Sequence, residues 1–232
     1  MPARALATLP GAPVVLPALT TSLVTLPPEL VELRRAVDEV VASLPAAPRI
    51  VVVAAADAAV WGAGDLGLGG LGTTDPSLPW TGSGASALAE RLRLPVRSDR
   101  LPTEARVVSR LVGPQQVTAV VALPPDDRLA ASLLAAEDQH DAGTAALAAV
   151  GDLSASIGPH SPRPGEEPDL GGLIVGGRVD PAELSRLLDA GGLGLAGALV
   201  LAVRPDAPPL AGSVHVVRGV ATLVATSTPT AM

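Results

Sequence analysis

The chain has 232 residues, a formal charge of −7 and 48% hydrophobic residues, so one globular domain with an aliphatic core is expected. It contains no Cys, Phe or Tyr, and every basic residue is Arg, which excludes disulfides, thiolate metal ligands and a ring-packed core. The acidic balance, with no basic cluster interleaved by aromatics, argues against nucleic acid or an anionic membrane as partner.

Residues 5–9 read as a short first strand ending in the turn-rich LPGAP. Arg4 ahead of an apolar stretch resembles a weak secretory leader. Pro2, Pro10, Pro13 and Pro17 interrupt any helical segment there, however, and no small-x-small cleavage pattern follows. Residues 28–44 predict a helix, with proline where a missing N–H costs little and Leu30, Leu33, Val37, Val40, Val41 and Leu44 on one stripe. RIVVVAAA (49–56) is a continuous β-branched run, as expected of a strand buried on both faces. A glycine-rich loop (57–82) follows, then a helix capped at Ser83 or Ser86 and running through Leu92. Residues 102–112 predict a helix, VTAVVAL (117–123) a buried strand and 125–139 a helix opened by acids.

TAALAAV (144–150) reads as another strand. Residues 180–191 predict a helix with Asp180 as N-cap and Pro181 in its first turn. Residues 193–203 suit either a core helix or a strand and are too short to cross a bilayer. SVHVV and VATLVAT, separated only by Arg218 and Gly219, predict two C-terminal strands. Strands alternating with helices imply a single α/β domain over 1–232, with a largely parallel central sheet flanked by helices. A cytoplasmic location fits the absence of cysteine and of any spanning segment.

The loop WGAGDLGLGGLGTT (61–74) matches G-x-G-x-x-G twice. A dinucleotide site needs the first glycine directly after a strand and a helix N-terminus aimed at the pyrophosphate. Here the strand ends near Ala56 and TTDPSLPW stands where the helix would begin, so the loop is read as a flexible surface or lid segment.

The three histidines occupy three contexts: His140 among acids at a helix end, His160 in a proline-rich loop, and His215 between valines on a strand, where a structural role is expected. They form no metal-site pattern. Asp57 and Asp152 each follow a predicted strand, the place where α/β sheets gather ligands. With His160 they could hold a metal or share acid–base work, although Asp is also a common turn former. Ser154 and Ser156 have no base nearby except His160, and no Gly-x-Ser-x-Gly elbow is present.

Four stretches, in order, resemble the actinobacterial, subunit-B-like branch of the class III extradiol ring-cleavage dioxygenases. They are LPGAPVVLPAL (9–19) with the helix after it, RIVVVAAA, GDLSAS (151–156), and LAGAL (195–199) with GVATLVAT (219–226). The resemblance implies the family's α/β fold and, in active members, Fe(II) held by two histidines and a glutamate, with a further histidine moving protons. It places the first ligand histidine at about Gly11, the second in AAAD where only Asp57 could coordinate, and the acid–base histidine at Ala155. No glutamate follows Glu183, which leaves an aspartate such as Asp206 as the only late carboxylate. Gly and Ala neither ligate iron nor move a proton.

The expectation is therefore a diverged, non-catalytic relative with no cofactor, whose strand-end cleft is lined by Gly11, Asp57, Gly151, Asp152 and Ser154 and admits some small molecule. Two alternatives stand beside it. One is a metal-dependent oxidoreductase or hydrolase using Asp57, Asp152 and His160. The other is a structural or regulatory subunit, paired with a partner subunit or with a second copy of itself.

Overall fold

The computed structural model describes residues 5–20, 25–44, 50–69, 71, 76–124, 146–151, 172–189, 210–217 and 220–227. The strands are β1 (Ala5–Leu9), β2 (Ile50–Ala55), β3 (Ala59–Trp61), β4 (Ala63–Asp65), β5 (Pro79–Thr81), β6 (Val96–Arg97), β7 (Val117–Leu123), β8 (Ala146–Val150), β9 (Ile174–Val175), β10 (Arg178–Val179), β11 (Ala211–Val217) and β12 (Val220–Ser227). The helices are α1 (Pro28–Ser43), α2 (Ala85–Leu92), α3 (Thr103–Val112) and α4 (Pro181–Asp189), with short 3₁₀ turns at Pro13–Val15, Pro17–Leu19 and Pro114–Gln116.

Ten strands make one sheet in the order β6-β3-β7-β2-β8-β1-β12-β11-β10-β9. The central four, β7, β2, β8 and β1, are mutually parallel. Antiparallel neighbours begin on both sides, β3 against β7 and β12 against β1. The protein is thus mixed α/β, with a parallel centre and one further parallel pair, β3 with β6, at an edge of the sheet.

Strand alternation divides the core in two, because successive side chains point to opposite faces. Ala5, Ala7 and Leu9 of β1, Val52 and Ala54 of β2, and Ala146 and Ala148 of β8 join one cluster with Leu30, Leu33, Val37 and Val40 of α1 and Ala105, Val108 and Val112 of α3. Leu6, Val51, Val53, Leu147 and Ala149 point the other way, into a cluster with Ala85, Leu88 and Ala89 of α2 and Leu184 of α4. The alanines of β1 and β8 lie under α1 and α3, where small side chains let helix and sheet approach.

Several local expectations hold. The α1 stripe is buried at Leu30, Leu33, Val37 and Val40, while Val41 and Leu44 are half-buried. Asp180 caps α4, its Oδ1 accepting from the backbone N–H groups of Ala182 (2.8 Å) and Glu183 (3.3 Å). Val217 stands opposite Val220, so the last two strands pair antiparallel, while Arg218 and Gly219 between them lie outside the described residues. At α2 the residue before the helix is Gly84, rather than either serine, and it caps without a side chain. The expected helix at 125–139 and the segment 193–203 lie outside the described residues. Among the described residues no helix is long and apolar enough to cross a membrane.

The reading of 61–74 as a flexible lid is corrected for its described part. Leu66 and Leu68 are fully buried in the α1–α3 core cluster. The segment forms a small hairpin, β4 against β5. Both tryptophans of the chain brace this region: Trp61 Nε1 donates to Asp99 Oδ1 (2.9 Å) and Trp80 Nε1 to the Val117 carbonyl (3.0 Å). The Arg97 guanidinium lies 4.9 Å from the Trp61 ring centroid and pairs with Asp99. Periodicity missed the anchoring because only two leucines among glycines carry it.

Leu66→Ala is expected to cost about 2–5 kcal/mol of unfolding free energy, as core truncations do. Urea titration followed by the fluorescence of Trp61 and Trp80 measures this, and a loss near zero would restore the lid reading.

Candidate functional site: the crevice at the parallel strand ends

Because β7, β2, β8 and β1 run the same way, their C-terminal ends share one edge of the sheet. Two neighbouring strands there send the chain in opposite directions. After β2, the Ala56 N–H donates to the Leu123 carbonyl (3.1 Å), and residues 56–58 pass over the end of β7 to reach β3. After β8, the Gly151 N–H donates to the Leu9 carbonyl (2.7 Å), and the Leu223 N–H donates to the Gly151 carbonyl (2.8 Å). The chain thereby crosses the end of β1 to reach β12. In open α/β sheets a divergence between adjacent parallel strands is where a crevice opens and ligands bind, which makes the ends of β2 and β8 the candidate position.

The candidate residues distribute unevenly around it. Gly151 is buried and its role is steric. A Cβ there would lie 2.2 Å from the Leu223 carbonyl oxygen, so only glycine permits the crossing. Gly11 is also buried, and does not line an open cleft: a Cβ there would meet Glu104 Cβ at 2.8 Å and Val150 Cγ1 at 2.9 Å. Asp57 is exposed on the connection over β7, and its charge acts on Arg97 of β6. It therefore belongs to the rim on the β6 side, away from β8. The strands that Asp57 and Asp152 follow, β2 and β8, are neighbours in the sheet. Asp152, Ser154, Ala155 and His160 lie outside the described residues, as does Asp206.

Glu104 was not singled out in the sequence. It stands in the first turn of α3, its stem packed on Gly11, and α3 lies across β2 and β8. That places a half-buried carboxylate-bearing side chain beside the crevice, with exposed Ala55 and half-buried Val150 at the strand ends. A usable signal existed. A helix that leads into a strand of the parallel set and packs antiparallel to it begins at the C-terminal edge of that set, which puts an acid in its first turn near that edge.

The G-x-G-x-x-G loop carries a different device. Asp65 Oδ1 accepts from the Gly67 N–H (2.7 Å) and the Leu78 N–H (2.7 Å), and Oδ2 accepts from the Ser77 hydroxyl (3.0 Å). These bonds tie both ends of the loop to one carboxylate. The two backbone N–H groups, with smaller contributions from Ser77 and the Arg106 charge, hold the Asp65 carboxyl below its ordinary value. Gly67 leaves no room for a side chain, since a Cβ would lie 2.6 Å from the Pro76 carbonyl oxygen. Gly67 thus serves the closure of the β4–β5 hairpin.

Among the described residues no group of three or more His, Asp or Glu side chains is placed to hold a metal. His215, the one described histidine, lies on β11, half-buried, with Nε2 2.7 Å from the Ser213 hydroxyl.

Gly151→Ala is expected to lose at least about 2 kcal/mol, because a backbone carbonyl must move. Gly84→Ala, where the nearest atom would be 3.5 Å away, is expected to change stability by under about 0.5 kcal/mol. Parallel thermal melts of the two variants read the contrast. For Asp65, a lowered folded-state pKa means that its stabilisation is present above the ordinary carboxylate range and is lost as pH falls through the lowered value. The Asp65→Asn variant should therefore be less stable than the parent at neutral pH and converge with it as pH falls below the lowered value. Melting temperatures across that range test the sign.

No protein-family model matches the chain, and no curated protein matches it.

Proposed function

We propose that the chain is a diverged, non-catalytic member of the class III extradiol dioxygenase-like superfamily, keeping an α/β scaffold and a strand-end crevice without the iron-binding set. The observation that carries this reading is at Gly11, where the resemblance puts the first ligand histidine. The backbone there is packed so closely against Glu104 and Val150 that an added methyl group would overlap both.

The remaining donors fit iron no better. A facial site needs two imidazoles and a carboxylate converging from one side of the metal. The second ligand position offers only Asp57, which is exposed and whose charge acts on Arg97 of β6, beyond β7. The acid–base position is Ala155, which has no donor. Iron-dependent ring opening has no residues to support it at these positions, so no reaction step is assigned to the metal.

The crevice retains a different capability. Ala55 and Val150 give small apolar walls, and Glu104 adds one carboxylate at the helix end. This arrangement suits a small, partly apolar ligand with a hydrogen-bond donor, held without chemistry. A regulatory or partner-subunit role is compatible with such binding.

The full chain, purified and then incubated anaerobically with Fe(II), is expected to retain substoichiometric metal and to leave catechols uncleaved, as read by elemental analysis and by the absorbance of ring-opened product. One tightly held iron, zinc or manganese per chain would overturn the vacant-site reading. It would favour the metalloenzyme built on Asp57, Asp152 and His160.

A further inference from the structure

We propose that Ser213 and His215 form a nucleophile–base pair that accepts an acyl group from small activated carboxylic esters. The two residues are two apart on β11 and share a face of the sheet, the one covered by α1, as Val217 of the same strand shows by joining the α1 core cluster. Ser213 Oγ and His215 Nε2 are 2.7 Å apart, within the reach that hydroxyl activation needs. Both side chains are half-buried, so the pair is sheltered and still accessible.

Topology brings this pair to the crevice end of the sheet. Thr8 stands opposite Ala225, and Thr222 opposite His215, so the β11–β12 hairpin rises past the end of β1. His215 lies on that projecting part, two strands from β1.

The charged groups facing the imidazole are Glu32 and Arg35 of α1. Across the hairpin its neighbour is the uncharged Thr222. Burial holds the imidazole below its ordinary value, Glu32 opposes this and Arg35 adds to it. A neutral imidazole at neutral pH is the form that can take a proton. Glu32 then stabilises the imidazolium that results.

The chemistry is ordinary acyl transfer. His215 Nε2 takes the Ser213 hydroxyl proton as the Oγ–acyl carbon bond forms, and the ester carbon–oxygen bond breaks. The leaving oxygen receives that proton from the imidazolium. Water, deprotonated by the same imidazole, then releases the carboxylic acid and restores the serine.

The chain is suited to a direct test, because it has no Cys or Lys to acylate in competition. The full-length protein is incubated with p-nitrophenyl acetate at pH 8 and mapped by peptide mass spectrometry. One acetyl group is expected on Ser213. Ser213→Ala should release p-nitrophenolate at the buffer rate. His215→Gln should slow acetylation of Ser213 by about a hundredfold with the circular dichroism spectrum and melting temperature of the parent. The parent rate should fall as pH drops through the imidazole titration. Absence of acetyl on Ser213, equal rates in His215→Gln, or release persisting in Ser213→Ala would overturn the proposal. None of these outcomes bears on whether the chain binds iron.

Discussion

The structure turns on one residue-wide bridge, Gly151, whose N–H bonds to Leu9 and whose carbonyl receives the Leu223 N–H. It joins the end of the parallel set, β8 and β1, to the antiparallel wing that β12 begins. The bridge requires β1 to leave the sheet at once. Pro10 and Gly11 turn it toward the helical face carrying α3, where Gly11 lies against Glu104. Closeness at Gly11 and closeness at Gly151 are thus two consequences of the same crossing. A side chain at either would push apart the layers that the crossing pulls together.

This geometry bears on how a core lacking Phe and Tyr holds together. Aliphatic side chains bury less area each than rings do, so stability depends on close approach over many small contacts. Ala5, Ala7, Ala146 and Ala148 beneath α1 and α3 serve that approach. Polar anchors fix the pieces that small residues leave loose. Arg34 of α1 donates from Nε to the Val15 carbonyl (2.9 Å) and from an Nη to the Val14 carbonyl (3.1 Å), holding the 3₁₀ turns after β1. Asp65 does the corresponding work for the β4–β5 hairpin, and the tryptophan N–H groups hold its base.

The long apolar strands and stripe-bearing helices were legible in the sequence because burial on a whole face imposes a period. Residues 5–9, 28–43, 50–55, 103–112, 117–123 and the C-terminal hairpin were foreseen within a residue or two for that reason. The short strands β3 to β6, β9 and β10 carry two or three residues each, too few to show a period. Their pairing is set by neighbours far along the chain, such as β3 on β7. The site was legible to a lesser degree. That Asp57 and Asp152 each follow a strand could be read from order and patterning. The direction in which Asp57 leaves the sheet could not, since it depends on β3 lying beyond β7. Gly11 and Gly151 were noticed for position, whereas their reason is the distance to Glu104, Val150 and Leu223, which no single-sequence pattern encodes.

The crevice and the β11 pair, as proposed above, place binding and chemistry on different parts of one sheet. A ligand site at parallel strand ends needs side chains on the loops just after the strands, and here two of those positions are glycines used for packing. On β11 such a constraint falls at Gly212, where a Cβ would lie 2.4 Å from the Val224 carbonyl oxygen, and not at Ser213 and His215, which carry side chains. This strand lies outside β12 in an antiparallel wing, where alternate residues face α1 and the strand's other face packs against a separate cluster. Polar residues such as Ser213 and His215 are tolerated there because α1 covers the strand only in part and each side chain satisfies the other. The same partial cover that makes the pair affordable to the fold keeps it reachable. Hence the part of this fold free to carry reactive groups is its antiparallel flank, while the parallel centre is committed to close packing.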